Sequence, residues 1–163
     1  MKKIFLWLSI IALTSCEKRE EIHLERIVYH TSTSFLGTNP SYHLAINRNR
    51  IASLIVEQAF KNSEKFPTID STKIGHYIGK IDEKKFKALE RELYRINIMK
   101  LQLEDLLITD ISQKSIIIYL NGKKIKIDKT YRSKDLNHLV NILESIYEDG
   151  SFTKINQQLE IEE

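Results

Sequence analysis

The sequence predicts an α+β domain, a mainly antiparallel sheet of about six strands with two helices packed on one face, in the order β-β-β-β-α-β-β-α. Three observations carry this. Short segments with alternating apolar and polar residues recur along the chain, two longer segments repeat their apolar residues every three or four positions, and the connections are short enough for hairpins.

Ile22 to His30 is rich in strand formers, and Thr31 to Pro40 is a polar loop broken by Gly37 and Pro40. Tyr42, Leu44 and Ile46 alternate with His43, Ala45 and Asn47, the pattern of a half-buried strand. Ile51 to Gln58 is ambiguous: Ile51, Leu54 and Ile55 have helical spacing, whereas Ile55-Val56 favour a strand, and a strand here makes Asn47 to Arg50 a hairpin turn. Lys61 to Lys73 is polar, contains Pro67 and reads as an exposed loop. Ile74 to Ile81 reads as a strand in which Gly75 and Gly79 permit a bulge or a close backbone approach.

Asp82 is placed to cap a helix whose Phe86, Leu89, Leu93 and Ile96 share one face. After the less regular Leu101 to Ser112, the run SIIIYLNGKKIKID is a hairpin. Asn121-Gly122 tolerates the positive φ of a two-residue turn, and Ile125 and Ile127 alternate with lysines. Ser133 is the expected cap of a last helix striped by Leu136, Leu139, Val140, Leu143, Ile146 and Tyr147, with Gly150 just past its end. The polar residues 149–163 read as a loosely held tail.

The first 15 residues read as a secretory signal, with Lys2 and Lys3 before the apolar run Ile4 to Leu13. That run is too short to span a bilayer, which needs about 20 residues. Leu13-Thr14-Ser15-Cys16 resembles the lipobox of bacterial lipoproteins, which implies cleavage before Cys16 and lipidation of its thiol, the most nucleophilic side chain available for a thioether. The alternatives are an incidental cysteine beside a plain cleavage site, or a buried helix. Two or more acyl chains anchor a protein durably without a transmembrane helix. The implied organisation is a signal peptide over 1–15, a lipidated cysteine and charged tether over 16–21, one domain over 22–148 and a tail over 149–163. Glu17 to Glu21 also resembles the charged segments that send bacterial lipoproteins to the cell surface, so the expected location is the bacterial envelope, at the outer membrane, facing the periplasm or the surface.

Loss of Lys2 and Lys3 with the signal takes the formal charge from +3 to +1. A nearly neutral domain with no basic face argues against nucleic acid as a partner. Cys16 is the only cysteine, so the domain folds without an internal disulfide and its core must carry the stability.

Phe35-Leu36-Gly37-Thr38-Asn39-Pro40-Ser41-Tyr42 is similar to the signature Cys-Phe-Gly-Thr-Cys-Pro-x-Tyr of an uncharacterised family of secreted or lipid-anchored bacterial domains. The similarity continues through Gly75-His76-Tyr77-Ile78-Gly79-Lys80-Ile81, the helix from Phe86 to Leu93, Thr109-Asp110 and Asn121-Gly122-Lys123, in matching order across Ile22 to Glu148. Phe35 and Asn39 stand where the family has cysteines, so any disulfide, redox or metal chemistry of that pair is closed to this chain. Gly37, Pro40 and Tyr42 keep what the loop geometry needs.

The histidines are His23, His30, His43, His76 and His138, with no HExxH-like spacing. The one metal idea is a meeting of His43 and His76 across neighbouring strands, and rim histidines on strands are the commoner case, so no metal site is assigned. Thr109-Asp110 reads first as a turn whose carboxylate accepts backbone N–H bonds, and second as a polar recognition pair. No nucleophile elbow, phosphate loop or dinucleotide fingerprint appears, and no cofactor is assigned. The sequence therefore predicts a lipid-anchored, non-enzymatic binding or accessory domain that contacts the membrane through Cys16 and an envelope protein or polymer through a loop or sheet edge. The alternative is an envelope hydrolase or redox accessory whose site is assembled from distant residues.

Overall fold

In the computed structural model, which describes residues 22–33, 39–61, 67–101, 113–127 and 134–162, the chain is an α+β domain built on a seven-stranded antiparallel sheet with two α-helices. The strands are β1 (Leu24–Thr31), β2 (Ser41–Asn47), β3 (Ile51–Gln58), β4 (Phe60–Lys61), β5 (Thr68–Ile69), β6 (Gly75–Lys80), β7 (Lys114–Leu120), β8 (Lys123–Ile127) and β9 (Phe152–Ile155). The helices are α1 (Glu83–Arg95) and α2 (Lys134–Glu148). The sheet order is β8-β7-β1-β2-β3-β6-β9, and β4 pairs with β5 in a separate two-stranded ribbon.

Alternation along each strand separates two faces one residue apart. Ile27 and Tyr29 of β1, Leu44 and Ile46 of β2, Leu54 and Val56 of β3, and Ile116, Ile118 and Leu120 of β7 join one core with Phe86, Leu89 and Leu93 of α1 and Leu136, Leu139 and Leu143 of α2. Both helices therefore cover the same face of the sheet. Asp82 caps α1 as expected, accepting the Lys84 and Lys85 N–H groups at 2.8 and 3.4 Å. Ile51 to Gln58 resolves as a strand, with Arg50 at positive φ in the turn before it, and Asn121 and Gly122 take the positive φ values that the β7–β8 turn requires.

The strand count departs from expectation at two places. The seventh strand of the sheet is β9, which lies in the stretch read as a loose tail and pairs with β6 from His76–Ile155 to Gly79–Phe152. Glycine makes this junction possible, since a Cβ on Gly79 would fall 2.9 Å from the Phe152 ring and one on Gly150 would fall 2.0 Å from it. The loop expected from Lys61 to Lys73 holds β5, half of the small β4–β5 ribbon, and a 3₁₀ turn, Ser71–Lys73, capped by Asp70. Cys16, Phe35, Gly37, Thr109-Asp110 and the Ser133 cap lie outside the described residues.

Candidate functional site on the open face of the sheet

The face away from the helices is ordered in cross-strand rows. One row runs His76, Ile55, His43, His30, Ser115 across β6, β3, β2, β1 and β7. The next carries Ile78, Ser53, Ala45, Val28, Ile117 and Lys126. Antiparallel pairing thus brings His30 and His43, thirteen residues apart, into direct opposition.

His30 and His43 meet through their Nδ1 atoms at 2.5 Å, their rings edge to face. His43 Nε2 lies 3.1 Å from Glu57 Oε1, and the Ser41 hydroxyl donates to Glu57 Oε2 at 2.7 Å. The result is one connected polar chain, Ser41–Glu57–His43–His30. Glu57 follows Ser53 and Ile55 on the open face by alternation, and the β2–β3 register shifts beside it, between Ser41 and Tyr42. The Ser41 hydrogen bond holds the Glu57 carboxyl below the usual carboxylate range against the opposing effect of burial, with the contact to His43 a smaller lowering influence.

These groups line a cavity of about 540 Å³ on the open face, with Thr31, Ser32, Gln113, Lys114, Ser115 and Lys126 completing its wall. Among the described residues of that lining are two lysines, four hydroxyls, one side-chain amide and one carboxylate. Ser41 bonds the carboxylate, not an imidazole, so the chain lacks the serine–histidine contact of an activated nucleophile.

Beneath the cavity, on the helix face, Glu144 accepts from the Tyr29 hydroxyl at 3.0 Å and from Lys114 Nζ at 2.6 Å, and the Tyr42 ring stacks on Tyr147 at 4.0 Å. Burial, then neighbouring phenols and carboxylates, raises the Tyr29 and Tyr42 hydroxyls far above the ordinary tyrosine value, so both stay neutral donors. Asn39 and Pro40 line a smaller cavity here with Thr31, Tyr42 and Lys114. The stretch Asn39 to Tyr42 therefore sits at the seam between the two clefts.

The expected meeting of His43 with His76 does not occur, because β3 intervenes and Ile55 stands between them. His76 Nδ1 instead accepts the Leu159 N–H at 3.1 Å. From there the C-terminal segment crosses the open face. Ile161 packs on Val28, Ala45 and Ile117, and Glu162 accepts from the Tyr119 hydroxyl at 2.7 Å and from Lys124 Nζ. His30, Glu57 and Ser41 had no signal of their own in the sequence. The one available clue was parity, since His30 and His43 each directly neighbour a core tyrosine, Tyr29 and Tyr42, and so face away from the core together.

Among the described residues, no group of three or more His, Cys, Asp or Glu side chains is arranged to hold a metal, and no helix is long and apolar enough to cross a membrane. No curated protein matches the chain. The model of one family, described as a domain of unknown function (DUF6438), matches residues 25–148, which take in every strand of the main sheet except β9, both helices and the whole polar chain. The protein belongs to that family.

Proposed function

We propose that this protein is a lipid-anchored lipoprotein of the bacterial envelope, held at the outer membrane through Cys16, with a non-enzymatic binding or accessory domain that takes its ligand in the open-face cleft. The observation that carries the binding part is the Ser41–Glu57–His43–His30 chain in a polar cavity of the open face. The helix-face core is complete without it, and a polar chain converging on a cavity is the usual form of a binding site. The lipobox-like Leu13 to Cys16 and the charged run after it support the anchor. The likeness of Phe35 to Tyr42 to the signature of secreted domains supports export. The partner is an envelope protein or polymer bearing groups that accept hydrogen bonds.

A second reading, an envelope hydrolase, draws on the same histidine relay, with His43 oriented by Glu57 as a base is in many hydrolytic sites. The Ser41–Glu57 bond weighs against it, and with Cys16 the only cysteine in the chain a dithiol redox role has no second thiol.

Cross-linking and mass spectrometry on host membranes test the proposal, comparing the wild type with Cys16→Ser and His43→Asn. The expected result is membrane release of Cys16→Ser and loss of a captured partner with His43→Asn. Retention of Cys16→Ser on the membrane overturns the anchor, and capture unaffected by His43→Asn overturns the cleft.

A further inference from the structure

The C-terminal segment covers a second part of the open face, beside the cleft. Two rows of the sheet lie beneath it. Val28, Ala45 and Ile117 form an apolar row, and Arg26, Tyr119 and Lys124 stand side by side in the row beyond, on β1, β7 and β8. Ile161 packs on the first row, and the Glu162 carboxylate accepts from the Tyr119 hydroxyl at 2.7 Å and from Lys124 Nζ in the second. The hydrogen bonds from Lys124 and then Tyr119 hold the Glu162 carboxyl below its usual range, and Arg26 adds a smaller pull the same way. The strip thus has an apolar subsite beside a cationic one, and a single aliphatic-acidic pair, Ile161-Glu162, fills both.

This cover is held lightly. Residues 156–162 form no strand and lie across the sheet, with the Leu159 N–H on His76 Nδ1 as a backbone tie. Lys124 and Glu162 are 48% and 30% exposed, so their ion pair adds little. The strip also offers more than its cover uses. Arg26 Nε is buried without a hydrogen-bond partner among the described residues, and a buried donor left unpaired is costly until an acceptor reaches it. Every residue of the strip lies within 25–148, the span that the family model matches, whereas the segment covering it lies beyond. We infer that this strip docks an extended segment of a partner protein carrying an aliphatic residue followed by an acidic one, and that Ile161-Glu162 holds the place in cis until the partner displaces it. The inference goes beyond the reading of the cleft, whose histidines lie in the neighbouring row.

Fluorescence anisotropy of the full chain with a labelled, end-capped peptide of the sequence Gln-Gln-Leu-Glu-Ile-Glu, that of residues 157–162, tests the strip. Ile161→Asp loosens the chain's own cover at the apolar subsite, and Glu162→Lys, a separate variant, loosens it at the cationic one. The peptide should bind Ile161→Asp about tenfold and Glu162→Lys about threefold more tightly than the wild type, whose tethered segment competes at high effective concentration. Lys124→Glu added to Ile161→Asp weakens the peptide about fivefold, and a peptide whose last residue is lysine recovers most of that loss, a rescue that a structural lysine does not show. His43→Asn leaves the peptide affinity unchanged, so the strip and the cleft are judged separately. Failure of the peptide to bind either loosened variant overturns the inference, as does equal binding to the wild type and the variants. A concentration-dependent wild-type dimer that Lys124→Glu dissolves gives the strip to a second copy of the chain and overturns the separate partner.

Discussion

The two faces of the central sheet are made by the same strands, one residue out of step, and they are closed in different ways. The helix face is sealed by α1 and α2 over a continuous core of isoleucine, leucine, phenylalanine and tyrosine, with Leu89, Leu93, Leu139 and Leu143 fully buried. Among the described residues the open face has an apolar cluster of three buried residues, Val28, Ala45 and Ile117, covered by Ile161 from the C-terminal segment, and beside it carries histidines, hydroxyls and lysines. One face supplies the burial that stabilises a domain with no internal disulfide, which leaves the other free to hold a polar chain that the core does not need.

Substitutions on the two faces should separate accordingly. Leu143→Ala removes a fully buried side chain between helix and sheet and should cost about 2–5 kcal/mol in urea unfolding, the largest effect of any truncation considered. Gly150→Ala forces a methyl into the space of the Phe152 ring and should cost about 1–3 kcal/mol, with loss of hydrogen-exchange protection along β9 before β6. Ile161→Asp places a carboxylate on the open-face cluster and should cost about 1–2 kcal/mol. Its distinguishing sign is faster proteolysis of the last residues with the helix-face core still protected.

The smallest effect belongs to Glu57 and depends on pH. Its folded carboxyl titrates below the ordinary value of 4.5, so the ionised form is favoured by folding. That contribution is present above about pH 4.5 and is lost as pH falls through the lower folded value. Glu57→Gln should therefore flatten the acid limb of the stability curve and change neutral stability little, because the side chain is half exposed. An unchanged acid limb in the variant would remove Glu57 from the polar chain as an ionised partner.

What could be read in advance follows how local each cause is. Asp82 caps α1 through the N–H groups two and three residues on, and Asn121-Gly122 bends β7 into β8 by backbone preference, so both were legible. Strand β9 was not, because Phe-Thr-Lys-Ile has little pattern of its own and becomes a strand by meeting the edge of β6, seventy-seven residues away at the Tyr77–Lys154 pair and seventy-nine at His76–Ile155. The site was hidden for the same reason. Alternation placed His43 on the polar face of β2 but could not say which strand lay beside it, so His76 was as good a candidate as His30. Alternation likewise puts Glu57 on the open face with Ser53 and Ile55, but no periodicity says that Ser41 and His43 lie beside it.

The most direct test of the connected chain is the tautomer of each histidine, read from long-range proton–nitrogen correlations of the imidazoles near neutral pH. A hydrogen-bearing Nε2 and an accepting Nδ1 on His43, with a hydrogen-bearing Nδ1 on His30, is the pattern that the Ser41–Glu57–His43–His30 geometry predicts. Rapid tautomer exchange at both rings, or a hydrogen on His43 Nδ1 with a bare Nε2, would contradict it and leave the open face an ordinary wet surface.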